Sequence, residues 1–186
     1  MRMHRRTFFQ TAGALLAAVA SQGARASLAA PGEVAAALPG ARLQGTGQLR
    51  YLGMRVYDAR LWAGTPAATA DWVDQPLALE IQYALGLSGH SIADRSLKEM
   101  RRQGQLDPAT AARWLEALRA LLPDVRTGDR LTAVQQPGAG LRLYANGVLR
   151  GELREAALAA RFVGIWLSPQ TSEPRLRAAL LGSTTP

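Results

Sequence analysis

The clearest pattern in the chain is an alternation of apolar and polar side chains between Leu77 and Leu85. Leu77, Leu79, Ile81, Tyr83 and Leu85 point to one side, and the residues between them point to the other. A period of two is typical of a β-strand that has one packed face and one open or lightly covered face. One-sided sheets are more often antiparallel than parallel, so this strand predicts an antiparallel sheet.

Five further strands are predicted by apolar runs that end at turn residues. They cover 43–50, 54–62, 130–136, 141–145 and 148–153. Tyr51-Leu52-Gly53 separates the first pair, and Pro137-Gly138-Ala139-Gly140 separates the third strand of this set from the fourth. Asn146-Gly147 separates the last pair and suits a two-residue type I′ turn, because both of its positions need a positive φ. The pattern therefore predicts hairpins at both ends of the domain.

Four helices are predicted by apolar positions that recur every three or four residues. They run from 91 to 103, from the Asp107-Pro108 start to Pro123, from 155 to 166, and from the Ser172 cap through Pro174 to the Gly182 stop. Aspartate before proline is a typical helix start, and glycine is a typical stop. Strands, two helices, a meander and two more helices predict an α+β fold, in which a curved antiparallel sheet carries helices on one face.

The domain organisation follows from where these elements lie. Residues 41–182 hold all of them and predict one domain, since 186 residues suffice for a single sizeable core. Residues 27–40 are rich in Ala, Pro and Gly and predict a loose lead-in, and 183–186 form a short tail. Residues 1–26 are treated separately because their pattern predicts a targeting segment.

Residues 1–26 predict an export signal peptide. Arg2, Arg5 and Arg6 precede the apolar run 11–20, and Ala24-Arg25-Ala26 offers a small-x-small cleavage site. The Arg-Arg pair followed by Phe8-Phe9 resembles the twin-arginine motif, and an ordinary Sec signal is the alternative. We expect export to the periplasm with the export machinery as a partner. The run is too short for a stable membrane span, which needs about 20 apolar residues.

Charge and cysteine content exclude several classes of function. The net charge is +8, but the predicted leader holds four arginines and no acidic residue, so the remainder carries 18 basic and 14 acidic residues. No long basic run is present, and we expect no nucleic-acid partner. The chain has no cysteine, which rules out disulfides and thiolate metal sites. Beyond the leader the one histidine is His90, so we expect no metal and no cofactor.

The motif search finds no catalytic signature in the sequence. There is no Gly-x-Ser-x-Gly elbow, no His-Glu-x-x-His and no P-loop. Gly45-Thr46-Gly47 begins like a dinucleotide-binding loop, but Arg50 stands where the third glycine belongs. What remains is a set of polar groups on otherwise apolar faces.

Four polar residues are candidates for a ligand pocket between the sheet and the helices. Tyr57 and Tyr83 lie on packed strand faces, Ser96 lies in line with Ile92 and Met100, and Arg50 ends a strand at a turn. Apolar pockets with a few polar anchors are typical small-molecule sites, and an arginine fork suits a carboxylate. The alternative is that the tyrosines are core residues, Ser96 bonds a helix carbonyl and Arg50 is a surface residue.

Several short motifs occur in an order that resembles the bacterial chalcone isomerase-like family. They are Val56-Tyr57-x-Ala59-x-Leu61-Trp62, Gly128-Asp129-Arg130-Leu131, Pro137-Gly138-x-Gly140, Asn146-Gly147, Gly164-Ile165-Trp166-Leu167 and the closing Leu180-Leu181-Gly182. The resemblance covers about residues 40–182. It implies an open-faced β-sandwich, in which a large antiparallel sheet carries helices over one face and a ligand cleft lies between the layers.

The same resemblance implies two possible functions. Plant chalcone isomerases cyclise a chalcone with an arginine, a threonine on the next strand and a tyrosine near a helix start. Arg50 matches the arginine, but 56–62 holds no threonine and His90-Ser91-Ile92 holds no tyrosine. Non-catalytic relatives bind fatty acids and keep the arginine for the carboxylate.

We therefore expect a non-enzymatic protein that binds a fatty acid or a similar amphipathic carboxylate through Arg50, Tyr57, Tyr83 and Ser96. The first alternative is an isomerase, an intramolecular lyase that uses Arg50 as electrophile and Tyr57 as proton donor. The second is a non-catalytic scaffold or partner-binding protein whose cleft is filled.

Overall fold

A computed structural model describes residues 29–65 and 72–182, and within them the chain forms one open sheet of six strands. The strands are β1 (Arg42–Tyr51), β2 (Met54–Ala63), β3 (Leu77–Tyr83), β4 (Arg130–Gln136), β5 (Gly140–Ala145) and β6 (Val148–Leu153). They lie in chain order, and every neighbouring pair is antiparallel. The predicted leader 1–26 and the tail 183–186 lie outside the described residues.

Five helices accompany this sheet. They are α1 (Gly32–Ala37), α2 (Gly89–Arg101), α3 (Pro108–Leu121), α4 (Ala156–Leu167) and α5 (Pro174–Leu180), and a single 3₁₀ turn covers Trp72–Asp74. The predicted α+β fold is confirmed, and the ten predicted strands and helices all occur within a few residues of their expected bounds. Asp107 caps α3 as expected, because its carboxylate accepts from the Thr110 N–H at 2.9 Å.

The main core fills the space between one face of the sheet and helices α2 to α5. The alternating residues of β3 supply its floor, and Leu79 is almost fully buried. Met100 of α2, Leu118 of α3 and Phe162 of α4 cover it from the other side. Burial of each such side chain contributes roughly 1.5–3 kcal/mol to folding. The one-sided pattern of β3 thus corresponds to a helix layer over one face.

The lead-in segment packs on the second face of the sheet, whereas the sequence predicted a loose lead-in. Within the 27–40 segment, α1 forms and buries Val34 completely against Trp62, Ala78 and Val134. The helix is six residues long and has one buried apolar position, Val34, which is too short a pattern for periodicity to reveal. Tertiary contacts rather than local preference therefore set this helix.

A polar contact fixes α1 to the sheet. Arg130 donates to the Glu33 carboxylate at 2.9 Å, and the Thr132 hydroxyl donates to the same oxygen at 2.8 Å. The Glu33 side chain is only 4% exposed, so both bonds are shielded from water. Hydrogen bonds to a buried charge are stronger than those between neutral groups. The lead-in is therefore anchored to β4.

Two glycines in β1 let α5 lie directly on the sheet. A Cβ on Gly45 would collide with the carbonyl oxygens of Ala179 and Leu180, and one on Gly47 would collide with a methyl group of Leu176. Gly45-Thr46-Gly47 is thus a packing surface for a helix backbone. This explains the glycine pair without a bound dinucleotide.

The β1–β2 and β5–β6 hairpins lie at the end of the sheet where β1, β3 and β5 finish, which we call the upper end. Each of these hairpins turns through two residues with positive φ. Asn146 and Gly147 have φ of 50° and 84°, which confirms the expected turn type. Leu52 and Gly53 have φ of 48° and 81° and form the same kind of tip between β1 and β2. A leucine in this left-handed region is uncommon, because its Cβ crowds the backbone.

Candidate functional site

A cavity of about 230 Å³ lies between the helix layer and the upper half of the sheet. Its walls are mostly apolar side chains from both layers. The sheet contributes Leu49, Val56, Leu79, Ile81, Leu131 and Leu143, and the helices contribute Ile92, Phe162, Ile165 and Trp166. The two layers therefore do not meet fully, and the space between them suits an apolar guest.

Polar groups gather at the side of the cavity formed by α2 and the start of α5. Ser91, Arg95, Ser96 and Glu99 come from α2, and Glu173 directly precedes α5. Ser91 and Arg95 are exposed to solvent, whereas Ser96 and Glu99 are buried. This arrangement makes a polar mouth above an apolar interior.

Arg95 and Glu99 form an ion pair at this mouth. They are one helical turn apart on α2, and the Arg95 Nη2 lies 2.8 Å from the Glu99 Oε1. The Glu99 side chain is 7% exposed and that of Arg95 is 59% exposed, so the pair spans the boundary between cavity and solvent. The Glu99 Oε2 lies 3.6 Å from the Arg102 Nε and has no hydrogen-bond partner among the described residues. A buried acceptor atom of a cavity-lining residue thus has no hydrogen bond among the described residues.

Tyr57 brings a hydroxyl to the wall of the cavity. Its oxygen accepts a hydrogen bond from the Trp166 indole at 2.9 Å, which joins β2 to α4. That bond leaves the hydroxyl hydrogen of Tyr57 to be donated to a guest. Burial raises the pKa of Tyr57 well above its usual value, so the hydroxyl remains a donor at neutral pH.

Tyr83 lies opposite Tyr57 on the neighbouring strand. The two rings meet edge to face, with centroids 6.0 Å apart and planes inclined at 71°. Burial is the main reason that the pKa of Tyr83 is raised, and the nearby Tyr57 adds to it. Such ring pairs stabilise by about 0.5–1.5 kcal/mol beyond their burial. They form a rigid aromatic section of the cavity wall.

The structure brings three of the four predicted site residues together. Tyr57, Tyr83 and Ser96 all line the cavity. Their role in binding stays a prediction, because a wall position alone does not show a bound guest. They occupy the positions that a pocket between sheet and helices requires.

Arg50 is the fourth predicted residue, and its position corrects the expectation. It donates to the Gln48 Oε1 at 2.7 Å and to the Gly53 carbonyl at 3.1 Å, and its side chain is exposed. Gln48 in turn bonds Asp58, the neighbour of Tyr57 that points to the opposite face of the sheet. The Arg50 guanidinium therefore lies outside the cavity, away from the Tyr57 hydroxyl with which an isomerase would have to combine it.

Arg95 is the arginine of the cavity, and the sequence interpretation missed it. It falls within the charged run of α2 that periodicity places on the outer side of the helix. Ser96 is its neighbour, however, and Glu99 lies four positions on, which is the spacing of a helical ion pair. That spacing beside the predicted Ser96 is the signal that identifies the polar mouth.

Two findings limit the chemistry of the described residues. In 29–65 and 72–182, no group of three or more His, Asp and Glu side chains is arranged to hold a metal ion. Across the same two ranges, no helix has the length and apolarity to cross a bilayer.

The chain belongs to the chalcone isomerase-like family, whose sequence model matches residues 29–182. An uncharacterized protein of Haemophilus influenzae is 29% identical over 150 residues, which cover 80% of this chain and 72% of that protein. Among solved structures, a fatty-acid binding protein of Arabidopsis thaliana is similar, with a TM-score of 0.63. The match covers 78% of this chain and 89% of the plant protein at 15% identity, so it establishes a shared fold.

Proposed function

We propose that the protein binds a fatty acid or a similar amphipathic carboxylate in the cavity. The observation that carries the proposal is an apolar chamber of about 230 Å³ whose polar mouth holds Arg95. The plant protein of the same fold is by its title a fatty-acid binding protein, which supports the choice of ligand class.

The volume of the cavity favours a small ligand. It lies just below the range of about 300–1,000 Å³ that is usual for small-molecule pockets. Part of a single acyl chain is of a size that such a space can hold. Each buried CH₂ group contributes about 0.8 kcal/mol, so a few carbons inside the chamber suffice for measurable binding.

The polar mouth suits a carboxylate headgroup. Arg95 uses one terminal nitrogen for Glu99, and the guanidinium has further N–H groups available. The Tyr57 hydroxyl is a second donor, and the Ser96 hydroxyl is a third. A protonated acid has an additional option, because its O–H can be donated to the Glu99 Oε2, which accepts no hydrogen bond from the described residues.

The test is calorimetric titration with saturated fatty acids of increasing chain length, together with native mass spectrometry of the purified protein. We expect Arg95→Gln to weaken carboxylate binding by about 1.5–3 kcal/mol, the size of a charged hydrogen bond. Arg50→Gln is the matched control, because it removes an exposed arginine that does not line the cavity. Equal losses in the two variants would contradict an anchoring role for Arg95.

We also propose that the protein is exported to the periplasm through residues 1–26. The support is the leader pattern of the sequence, with Arg5-Arg6 before an apolar run and a cleavage site. Replacing both residues, Arg5→Lys and Arg6→Lys, should stop export by the twin-arginine route. Unchanged export of this variant into the periplasmic fraction would indicate the Sec route.

A further inference from the structure

Large apolar side chains are exposed at the tips of two hairpins. Tyr51, Leu52 and Met54 surround the β1–β2 turn, with exposed fractions of 64%, 83% and 60%. Val148 and Leu149 begin β6 just after the β5–β6 turn and are also exposed. We call these two groups the first tip and the second tip.

Both tips lie at the same end of the sheet. Neighbouring strands run antiparallel in chain order. The β1–β2 turn and the β5–β6 turn therefore lie at the same end of the sheet. Four strand spacings separate β2 of the first tip from β6 of the second, which places the tips roughly 19 Å apart at about 4.8 Å per strand. Two apolar groups at one end of the sheet offer a broad contact surface rather than a single pocket.

The first tip keeps a leucine where turn chemistry disfavours one. Leu52 has a φ of 48°, and the matching position of the β5–β6 turn is Asn146 with a φ of 50°. Asparagine and glycine tolerate this backbone region, whereas a leucine is strained there by about 1–2 kcal/mol. Neither folding nor solubility gains from an exposed apolar side chain at such a position, which points to an external contact.

Arginines flank these apolar tips, beside Asp58 near the first tip and Asp129, which accepts from the Asn146 amide in the second turn. Arg50 and Arg55 flank the first tip, Arg150 follows the second, and all three are exposed. Among the described residues, neither Arg50 nor Arg150 has a carboxylate within ion-pair distance, and Arg55 lies 3.6 Å from Asp58. Arg50 instead donates to the Gly53 carbonyl, which holds its charge at the tip. Apolar points within a positive rim match the headgroup and acyl layers of an anionic membrane surface.

The first tip lies next to the cavity along both of its strands. Leu49 directly precedes Arg50, Val56 directly follows Arg55, and both line the cavity wall. A lipid surface in contact with the tip is therefore next to the apolar chamber.

We propose that this end of the sheet docks on an anionic lipid bilayer, with both tips in the headgroup region and the arginines on lipid phosphates. The inference goes beyond ligand binding, because docking needs no guest in the cavity. A second copy of the chain fits less well, since five side chains on two separate turns do not make the roughly 800 Å² per partner of a stable interface.

The test is cosedimentation of the purified protein with vesicles of phosphatidylcholine, with and without phosphatidylglycerol. We expect binding to the anionic vesicles and a loss of binding between about 0.1 M and 1 M salt, where the Debye length falls from about 10 to 3 Å. The double variant Leu52→Asp, Met54→Asp should lose at least about tenfold in partition, because charge now enters the headgroup layer. Val73→Asp is the matched control, because Val73 is an exposed apolar residue at the opposite end of the sheet.

A local probe shows which surface makes the contact. The chain has no cysteine, so Leu52→Cys and Val73→Cys can each carry one environment-sensitive dye. We expect a blue shift on anionic vesicles for the dye at position 52 and none at position 73. The proposal is overturned if both dyes respond alike, if the wild-type protein ignores anionic vesicles, or if the double variant only dissociates a dimer in light scattering. Failure of the fatty-acid titration leaves these readouts unaffected, so the two proposals fail separately.

Discussion

Glu99 places a negative charge beside the arginine that is proposed to hold a carboxylate. The pair is close at 2.8 Å, and the Glu99 carboxylate is almost fully buried. Such a neighbour holds the Arg95 side chain in one direction and also repels an ionised headgroup. The repulsion is substantial, because at an effective dielectric near 20 two like charges about 6 Å apart interact by about 3 kcal/mol. The orienting effect on Arg95 offsets part of it.

Glu99→Gln is therefore expected to tighten the binding of an ionised fatty acid several-fold. The glutamine keeps the shape and one acceptor oxygen for Arg95 while it removes the charge. Binding of the uncharged methyl ester of the same fatty acid serves as the control, and calorimetry measures both. Weaker binding of the acid in this variant would mean that the carboxylate acts chiefly to orient Arg95.

The buried tyrosines make stability depend on pH in the alkaline range. Tyr57 and Tyr83 have raised pKa values in the folded state, chiefly because burial disfavours the phenolate. Below pH 10, the ordinary tyrosine pKa, both states keep the proton and the stabilisation is complete. Above it the unfolded chain loses the proton first, so the free energy of unfolding falls with rising pH.

We expect a decline of up to about 1.4 kcal/mol per pH unit for each tyrosine above pH 10. Urea denaturation at a series of pH values measures it. Tyr83→Phe should make the decline shallower, because one titrating group is removed while the ring contact with Tyr57 is kept. A slope that stays the same in this variant would show that other groups cause the alkaline loss.

The sequence identified which tyrosines face the cavity but not which arginine does. Tyr57 and Tyr83 follow from the period-two pattern, because a strand fixes the direction of each side chain once its packed face is known. Arg95 lies at the border between the buried and the exposed face of α2. A rotation of the helix by a few tens of degrees decides whether this side chain faces solvent or the cavity. Arg50 was expected at the pocket from its place at the end of a strand and from the family resemblance, and the β1–β2 register shifts between Leu49 and Arg50.

At the scale of elements, turn and cap residues predicted more of the secondary structure than residue propensities did. The Asn146-Gly147 hairpin and the Asp107 cap have local mechanisms, and both occur as expected. The helix α1 has none, because its six residues are set by contact of Val34 with the second face of the sheet. The role of Gly45 was also hidden, since the helix that lies on it comes more than 125 residues later in the chain.

Gly45→Ala is expected to destabilise the protein by about 1–3 kcal/mol, the range for an overpacked core position. Its Cβ would meet backbone carbonyls of Ala179 and Leu180, which cannot rotate away as a side chain can. Gly32→Ala is the control, because a Cβ there has free space and lies in a helix. Thermal unfolding of the two variants gives the comparison, and equal melting temperatures would contradict close packing of α5 on β1.

For the whole molecule, an occupied cavity links the sheet to the helix layer. A ligand that binds only the folded state stabilises it by about 2.7 kcal/mol at a concentration of 100 times its Kd. For a chain of this size we expect a rise in melting temperature of about 5–10 °C with a bound fatty acid. Differential scanning calorimetry tests this, and a melt that ignores ligand at saturating concentration would contradict a guest between the layers.

The overall architecture was the most predictable level, because it depends on many independent patterns that agree. Six strands, four helices and their order defined an α+β fold, and the family resemblance pointed to the same arrangement. The cavity was less predictable, since a void is set by how side chains such as Phe162 and Trp166 fail to fill a space. Periodicity shows which faces are apolar but carries no record of the distance between them.

The contact of Glu33 with β4 also orders events during synthesis. Its two partners lie 97 and 99 positions further along the chain, so this polar anchor of α1 can form only after the second half of the domain has left the ribosome. Val34 can contact Trp62 and Ala78 earlier, but the docking of α1 is complete only when Arg130 and Thr132 of β4 are in place.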